Sequence, residues 1–418
     1  VLGYTGSYDR VAAFSRQWRQ TQQDAKLGAG KRAFVPLQFA PGEAFQFDWS
    51  EDWVKINGVS TKLQIAHFKL SYSRAFFMRA YLTQSHEMLF DAHYHAFTAF
   101  GGIPERGIYD NMKTAVDKVG RGKQRTVNKR FYAMVSHYLY EAEFCNPAAG
   151  WEKGQIEKAV QDARHGLWYD PPPFKSLDEL NQWLQERCQA QWQESAHPQL
   201  KARSLAQCLE DERPQLMPVP AAFDGFIEHS KRVSSTCLMT FEHNRYSVPA
   251  TFANRVISLR VYPQRLVIVA EAQVVAEHVR VFNRDKSAPG QTVFDWRHYL
   301  SVLQRKPGAL RNGAPFLALP DSFRQLRSRL IKRPGGDREI VDILALVLLH
   351  DEQLVEQAVA RALESGEPSK QHVLNCLSRL EEPPRPEPLK PPPALKLANE
   401  PKADTARYDK LRSTHYET

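Results

Sequence analysis

One short stretch, Phe45-Gln46-Phe47-Asp48-Trp49, constrains the fold more than any other because it places one acid among aromatic residues. Its alternation is typical of a β-strand, so the three aromatic residues share one face and Asp48 lies on the other with Gln46. A carboxylate in apolar surroundings is costly unless a cation meets it, and a divalent metal ion is one solution. The alternative is a strand-end aspartate that caps the following turn.

The chain around this stretch predicts a mixed α/β sheet. Apolar or alternating segments separated by polar turns predict three antiparallel strands, over 43–49, 62–70 and 74–82. Helical spacing then covers 85–100 and ends at Gly101-Gly102. A crossover helix of this kind lets the next short strand, 106–109, run parallel to the first.

Two further acids have strand-end and helical contexts. Asp110 directly follows the predicted strand 106–109. The next acid lies in a helix predicted beyond Gly150, one face of which carries Lys153, Glu157, Gln161 and Arg164. Glu157 would thus be presented from a helix toward the two strand ends. Glu152, at the start of that helix, is the alternative third acid.

Basic residues are concentrated in the segment from Lys113 to Arg130, which runs into the next predicted helix, 127–140. They are Lys113, Lys118, Arg121, Lys123, Arg125, Lys129 and Arg130. Interleaved with glycine, this composition is typical of a mobile loop that follows a phosphate backbone. A solvated run of charge is the alternative.

The N-terminal segment predicts an amphipathic basic helix. Ser7 is a suitable N-cap, and the apolar Val11, Phe14 and Trp18 recur at helical spacing. The other faces carry Arg10, Arg16 and Arg19. Such a helix is either the end of a DNA-binding bundle or a solvated linker.

Histidine and cysteine do not form a metal-binding pattern. His93 and His95 lie two residues apart in the predicted helix 85–100, about 200° around its axis, so they cannot bind one metal ion. The five cysteines include no C-x-x-C pair. Neither a zinc knuckle nor a disulfide framework is indicated, which favours a reducing compartment.

The overall composition favours a soluble DNA-associated protein. The 418 residues carry a formal net charge of +9, which favours a polyanionic partner such as nucleic acid. The sequence contains no apolar run long enough for a membrane span and no signal-peptide layout. Because the chain starts at Val1, an upstream segment is expected.

Taken in order, the three acids resemble the catalytic core of the DDE transposases and retroviral integrases. The motifs that carry this resemblance are Phe47-Asp48-Trp49, Tyr109-Asp110-Asn111 and the G-x-x-E of Gly154 to Glu157. In that family an Asn-Gly pair precedes the last acid. Here Lys153 replaces the asparagine, which leaves the glutamate in place but removes a helix-start residue.

Within that superfamily, the sequence is most similar to the IstA-type transposases of bacterial insertion sequences. The likeness includes Tyr-Asp-Asn followed by Met112-Lys113, and the run from Glu152 to Glu157. Gly6-Ser7-Tyr8 with the basic helix resembles the end of a helix-turn-helix module. The segment Asn244-Arg245-Tyr246-Ser247-Val248-Pro249 resembles the opening of a small β-barrel.

The resemblance implies an RNase H-like core that binds two Mg²⁺ or Mn²⁺ ions, which are roughly 3.5 to 4 Å apart in two-metal sites. Asp48 would bridge both ions, Asp110 would complete one site, and Glu157 the other. The expected reactions are cleavage at the element's end and strand transfer into target DNA, both by in-line substitution at phosphorus.

The resemblance also implies the partners. Transposon-end and target DNA are the expected substrates, contacted by Arg164 and by Lys153 and Lys158, although a salt bridge from Lys153 to Glu157 is an alternative. A homo-oligomer would bring two ends together, with an AAA+ ATPase helper of IstB type. The expected location is the bacterial cytoplasm, in association with the nucleoid.

The predicted fold is a multi-domain α/β plus β plus α arrangement. The expected divisions are a basic helix and linker (1–40), an RNase H-like catalytic core (41–196), a linker (197–228), a small β-barrel (229–285), a helical region (286–380) and a proline-rich disordered tail (381–418). Two other functions remain open from the residues: a metal-dependent nuclease on the same fold, and a DNA-binding scaffold whose acids are structural.

Overall fold

A five-stranded mixed sheet is the centre of the first part of the chain. The structure is a computed structural model that describes residues 7–26, 37–119, 125–145, 171–283, 289–366 and 368–381, with 404 and 406. The first described strands are β1 Ala44–Ile56, β2 Val59–Leu70, β3 Phe76–Tyr81, β4 Arg106–Tyr109, β5 Val116–Val119, β6 Arg125–Val127 and β7 Glu141–Phe144. The sheet order is β3-β2-β1-β4-β7. Strand β2 runs antiparallel to β1 and β3, whereas β4 and β7 run parallel to β1, as the crossover helix predicts.

Helices cover both faces of this sheet. The helices of this part are α1 Tyr8–Lys26, α2 His86–Phe100, α3 Lys129–Tyr138, α4 Leu177–Glu194 and α5 Leu205–Glu212. Helices α2 and α3 bury the face that carries Phe47, whereas Leu180 and Leu184 of α4 pack against Ile65 on the other face. The predicted separation of the aromatic face from the Asp48 face is therefore confirmed. A mixed sheet between helices is the core that the resemblance implies.

Strand β1 is longer than the predicted 43–49. It continues to Ile56 and returns as β2 through Asn57-Gly58, whose φ angles of 49° and 76° suit a two-residue hairpin turn. The strand continues because Val54 and Ile56 are buried against α4. The acid lies within a long paired strand and does not cap a turn at its end.

The basic segment after Asp110 is not simply the predicted loop. Strands β5 and β6 pair in antiparallel fashion, and Asn128 then caps α3 by accepting hydrogen bonds from the backbone of Arg130 and Phe131. Helix α3 begins at Lys129, two residues later than predicted, because Val127 belongs to β6. Strand β7, which is not predicted from the sequence, follows this helix and pairs with β4.

The predicted linker 197–228 contains α5. A capping box between Ser204 and Gln207 starts this helix, and Leu205 and Leu209 pack into the main core. The buried Glu212 accepts hydrogen bonds from the backbone N–H groups of Gly42 (3.1 Å) and Ser73 (3.0 Å). Nearby prolines made this segment look like linker, although its apolar face is buried.

The strands after residue 226 form two sheets and not the predicted small barrel. They are β8 Ile227–Arg232, β9 Leu238–Phe241, β10 Asn244–Ser247, β11 Val256–Val261, β12 Arg265–Ala270, β13 Gln273–Val279 and β14 Thr292–Val293. The orders are β14-β10-β9 and β13-β12-β11-β8, and no strand ladder joins the two sheets within the described residues. Side-chain alternation predicts strands, but barrel closure depends on hydrogen bonds between edge strands, which alternation does not encode.

A second unit, Tyr299–Thr418, is helical where it is described. Its α-helices are α6 Leu300–Arg305, α7 Asp321–Leu330, α8 Gly336–Leu344, α9 Glu352–Glu364 and α10 Lys370–Glu381. Most of the predicted tail lies outside the described residues. No helix in the described part of the chain is long and apolar enough to cross a membrane.

Candidate active site

Asp48 lies within β1, and Asp110 directly follows β4, the parallel neighbour of β1. Strands β1 and β4 pair in register from Ala44 and Arg106 to Gln46 and Ile108, so each acid lies two residues beyond the last paired position. Neighbouring strands lie about 4.8 Å apart, so this shared offset puts both acids just past the point where the β1–β4 pairing ends. The sheet topology thus joins the strand of one predicted acid to the strand that precedes the other, although the two acids are 62 positions apart in the sequence.

The local backbone holds both carboxylates. Asp48 Oδ1 accepts a hydrogen bond from Trp49 N at 3.0 Å, and Asp110 Oδ1 accepts one from Asn111 N at 2.7 Å. Asn111 Nδ2 donates to the carbonyl of Cys145, just beyond β7. Asp48 is half-buried and Asp110 is exposed, so solvent reaches the acids from a rigid sheet.

His67 and Ser50 are polar neighbours of Asp48 that the sequence reasoning missed. His67 is the direct cross-strand partner of Asp48, and its Nε2 lies 2.9 Å from Ser50 Oγ. Both side chains are buried. The sequence did contain a signal for this pairing. A two-residue turn at Asn57-Gly58 pairs residues whose numbers sum to 115, and His67 is therefore the partner of Asp48.

The donor chemistry at the strand ends fits a hard divalent cation. Carboxylate oxygens are the ligands that Mg²⁺ and Mn²⁺ prefer, and Asp48 and Asp110 both carry them. The described residues contain no group of three or more metal-binding side chains. The third predicted acid, Glu157, lies outside the described residues, as does its alternative Glu152.

The predicted DNA-binding residues are only partly described. Lys113 is exposed just beyond Asp110, Arg125 begins β6, and Arg16 and Arg19 are exposed on α1. The others, Arg121, Lys123, Lys153, Lys158 and Arg164, lie outside the described residues.

His93 and His95 of α2, which are predicted not to share a metal ion, have different environments. His93 is fully buried, and its Nε2 lies 2.7 Å from Tyr109 Oη. His95 is partly exposed and lies 3.5 Å from Asp91. Burial lowers the pKa of His93 to about 3, so its imidazole is neutral at physiological pH.

The chain is similar in sequence to known transposases. Residues 218–288 match the model of the Mu transposase C-terminal domain. A transposase of Aminobacter aminovorans is 62% identical over 99% of this chain and 82% of its own length. The transposase for insertion sequences IS1326/IS1353 of Pseudomonas aeruginosa is 61% identical over 99% of this chain and 82% of its own. Among solved structures, the HTLV-2 integrase catalytic core in complex with magnesium matches 40% of this chain and 96% of its own, at 14% identity and a TM-score of 0.27.

A mixed sheet covered by helices is the core expected of a DDE-type DNA transposase. The relatives that match nearly the whole chain are transposases. The chain belongs to the bacterial insertion-sequence transposase family that includes the IS1326/IS1353 transposase.

Proposed function

We propose that Asp48, Asp110 and Glu157 are the catalytic acids of this insertion-sequence transposase. The observation that supports this most strongly is the parallel pairing of β1 with β4, which ends two residues before Asp48 and two residues before Asp110. Asp48 belongs to the paired strand β1 and Asp110 directly follows β4, which suits acids that must keep a defined separation. Glu157 is included among the catalytic acids because of its sequence motif alone.

In this proposal the three carboxylates hold two Mg²⁺ or Mn²⁺ ions. When bound, such ions stabilise charge on the attacking and leaving oxygens during in-line substitution at phosphorus. The chain's own contribution is to supply oxygen ligands and to orient the DNA. The protein needs no nucleophilic side chain, because water serves in end cleavage and a DNA 3′-OH serves in strand transfer.

The basic residues are proposed to bind the phosphate backbone of the element's end and of the target. Lys113 and Arg125 belong to the segment that directly follows Asp110, whereas Arg16 and Arg19 are exposed on α1. The same role is proposed for Arg121, Lys123, Lys153, Lys158 and Arg164. Each phosphate contact that is lost should reduce the slope of log affinity against log salt concentration by about 1. Lys62→Ala is the matched control for these substitutions. Lys62 already pairs with Glu51 at 2.7 Å, so its loss should leave the salt dependence of DNA binding unchanged.

Several finer features follow from the resemblance. The active form is proposed to be a homo-oligomer that holds two element ends, assisted by an AAA+ ATPase of IstB type. Its place of action is the bacterial cytoplasm, in association with the nucleoid. The residues that match the Mu transposase model are proposed to act as the small DNA-proximal β domain of the family, although their two sheets do not close into a barrel.

The decisive experiment uses pre-cut transposon ends and a plasmid target. Asp48→Asn and Asp110→Asn should abolish end cleavage and joining while end binding stays within about twofold of the original chain. Glu51→Gln is the matched control, an exposed acid of the same strand β1 that pairs with Lys62, and it should retain both activities.

Three results would contradict the proposal. Joining by either aspartate variant would remove that acid from the catalytic site. Cleavage without any joining by the original chain would favour the nuclease alternative. End binding with neither reaction would favour the DNA-binding scaffold.

A further inference from the structure

A buried chain of hydrogen bonds runs beneath the two candidate catalytic acids. His93 Nε2 lies 2.7 Å from Tyr109 Oη, and Tyr109 Oη lies 2.6 Å from Tyr140 Oη. The three residues are 0%, 0% and 4% exposed. Buried polar groups depend strongly on their partners, because no water replaces a lost hydrogen bond.

The carbonyl of Leu89 defines the direction of this chain. His93 Nδ1 lies 2.7 Å from that oxygen, which can only accept, so Nδ1 carries the hydrogen. In the neutral imidazole Nε2 then accepts from the Tyr109 hydroxyl. The oxygen of Tyr109 accepts in turn from Tyr140, so each polar group in the series has a defined role.

The same imidazole contacts the residue that precedes each acid. The His93 ring stacks on Phe47 with the centroids 5.4 Å apart, and on Tyr109 with the centroids 5.8 Å apart. Phe47 directly precedes Asp48, and Tyr109 directly precedes Asp110. One side chain of α2 therefore contacts β1 and β4 immediately next to the two acids.

The chain also reaches the third parallel strand. Tyr140 lies between α3 and β7, directly before Glu141. At the other end of β7, the backbone N–H of Cys145 donates to the carbonyl of Tyr109 at 2.9 Å. Helix α2 and strands β1, β4 and β7 thus meet at one buried cluster.

We propose that the His93–Tyr109–Tyr140 chain is a positioning device that holds Asp48 and Asp110 at the separation needed to bind divalent metal. This inference rests on the proposed catalytic role of those two acids. The three residues do not contact the metal. They act through the backbone of β1 and β4. In other metal sites, loss of the groups that orient the ligands weakens metal affinity or activity 10- to 100-fold.

The test compares two buried tyrosine hydroxyls in the same core. Tyr109→Phe removes the middle of the chain. Tyr138→Phe is the matched control, because Tyr138 is 1% exposed and its hydroxyl accepts from Phe223 N at 3.1 Å, away from the acids. Binding of Mn²⁺ to the full chain with pre-cut end DNA is measured by calorimetry, beside thermal unfolding and strand transfer.

We expect Tyr109→Phe to raise the Mn²⁺ dissociation constant about tenfold, with end-DNA affinity unchanged. Tyr138→Phe should lower thermal stability to a similar extent yet bind Mn²⁺ like the original chain. Tyr140→Phe keeps the His93–Tyr109 bond and should shift Mn²⁺ binding in the same direction by a smaller factor. It also decides the matter if Tyr109→Phe does not fold.

Equal Mn²⁺ affinity in the Tyr109, Tyr140 and Tyr138 variants would overturn the positioning role. Asp110→Asn separates this outcome from failure of the proposed function. If Asp110→Asn still joins ends, the catalytic assignment fails. If it does not join while Tyr109→Phe binds Mn²⁺ normally, only the positioning role fails.

Discussion

The guanidinium of Arg280 lies 2.8 Å from the carboxylate of Glu87, and the two side chains are 2% and 3% exposed. Glu87 lies in the first turn of α2, the helix that carries His93, whereas Arg280 directly follows β13. Burial opposes the charge of Arg280, but hydrogen bonds with Glu242 and Glu87 outweigh it and hold the pKa of the guanidinium above its usual range. A buried ion pair thus joins the catalytic core to the β-sheets that match the Mu transposase model.

Breaking this pair should be strongly destabilising. Arg280→Met leaves Glu87 buried without its partner, and such losses typically cost about 3 to 5 kcal/mol of unfolding free energy. Urea denaturation measures the change. The control is Arg255→Met, since Arg255 and Glu271 form a pair that is 51% and 64% exposed, and surface pairs contribute about 0 to 1 kcal/mol. Similar losses in the two variants would contradict the assignment.

Gly107 of β4 should not tolerate a side chain. A Cβ there would lie 2.5 Å from Cζ of Phe45 and 2.7 Å from Cε2 of Tyr109, both in the packed core. Gly107→Ala should cost about 1 to 3 kcal/mol and slow strand transfer, because Tyr109 must move. Gly308→Ala is the control, since its Cβ would meet nothing within 4 Å, and it should stay within about 0.5 kcal/mol. Equal stability and equal strand-transfer rates for the Gly107→Ala and Gly308→Ala variants would refute this prediction.

The free energy of unfolding should decrease as the pH is lowered, in part because His93 is buried in its neutral form. Its pKa is about 3 in the folded chain because of burial, against about 6.5 when unfolded. Between these values the unfolded chain binds a proton that the native chain does not, so this contribution is lost as the pH falls from 6.5 toward 3. The slope approaches about 1.4 kcal/mol per pH unit. In His93→Gln, unfolding measured from pH 7 to 4 should show a slope shallower by up to one proton, and an unchanged slope would disprove it.

The third acid can be assigned by two glutamine variants. Glu157→Gln should abolish cleavage and joining, because the glutamate of the G-x-x-E motif is the proposed metal ligand. Glu152→Gln, five residues earlier, should retain both reactions. The reverse pattern would transfer the role to Glu152. Gel-shift binding to end DNA serves as the folding control for both.

The β-hairpin shows how far a local pattern can lead. Alternation placed Phe47 and Asp48 on opposite faces, and the structure confirms this because the period of a strand is two residues. The position of the turn at Asn57-Gly58 also fixes the pairing register of β1 and β2, including the pairing of Asp48 with His67. Both features depend on neighbouring residues, which is why they can be read from the sequence.

The Lys113 to Arg130 segment and α5 show where composition misleads. Charge and glycine predicted a loop, but β5 and β6 pair because Val116 and Val127 face each other across the hairpin. Proline predicted a linker, but Leu205 and Leu209 have the main core to pack against. In each case the decisive partner lies outside the local window.

The sequence by itself determined the order of the acids, the faces of β1 and the crossover that makes β4 parallel to it, because these follow from periodicity and chain connection. Only the tertiary structure decided that the strand of Asp48 pairs with the strand that precedes Asp110, that His93 contacts the residue before each acid, and that Arg280 pairs with Glu87 across 193 positions. Burial gives those contacts their strength, since it removes the water that would otherwise satisfy each polar group. Burial of this kind is a property of the folded chain and of no single segment.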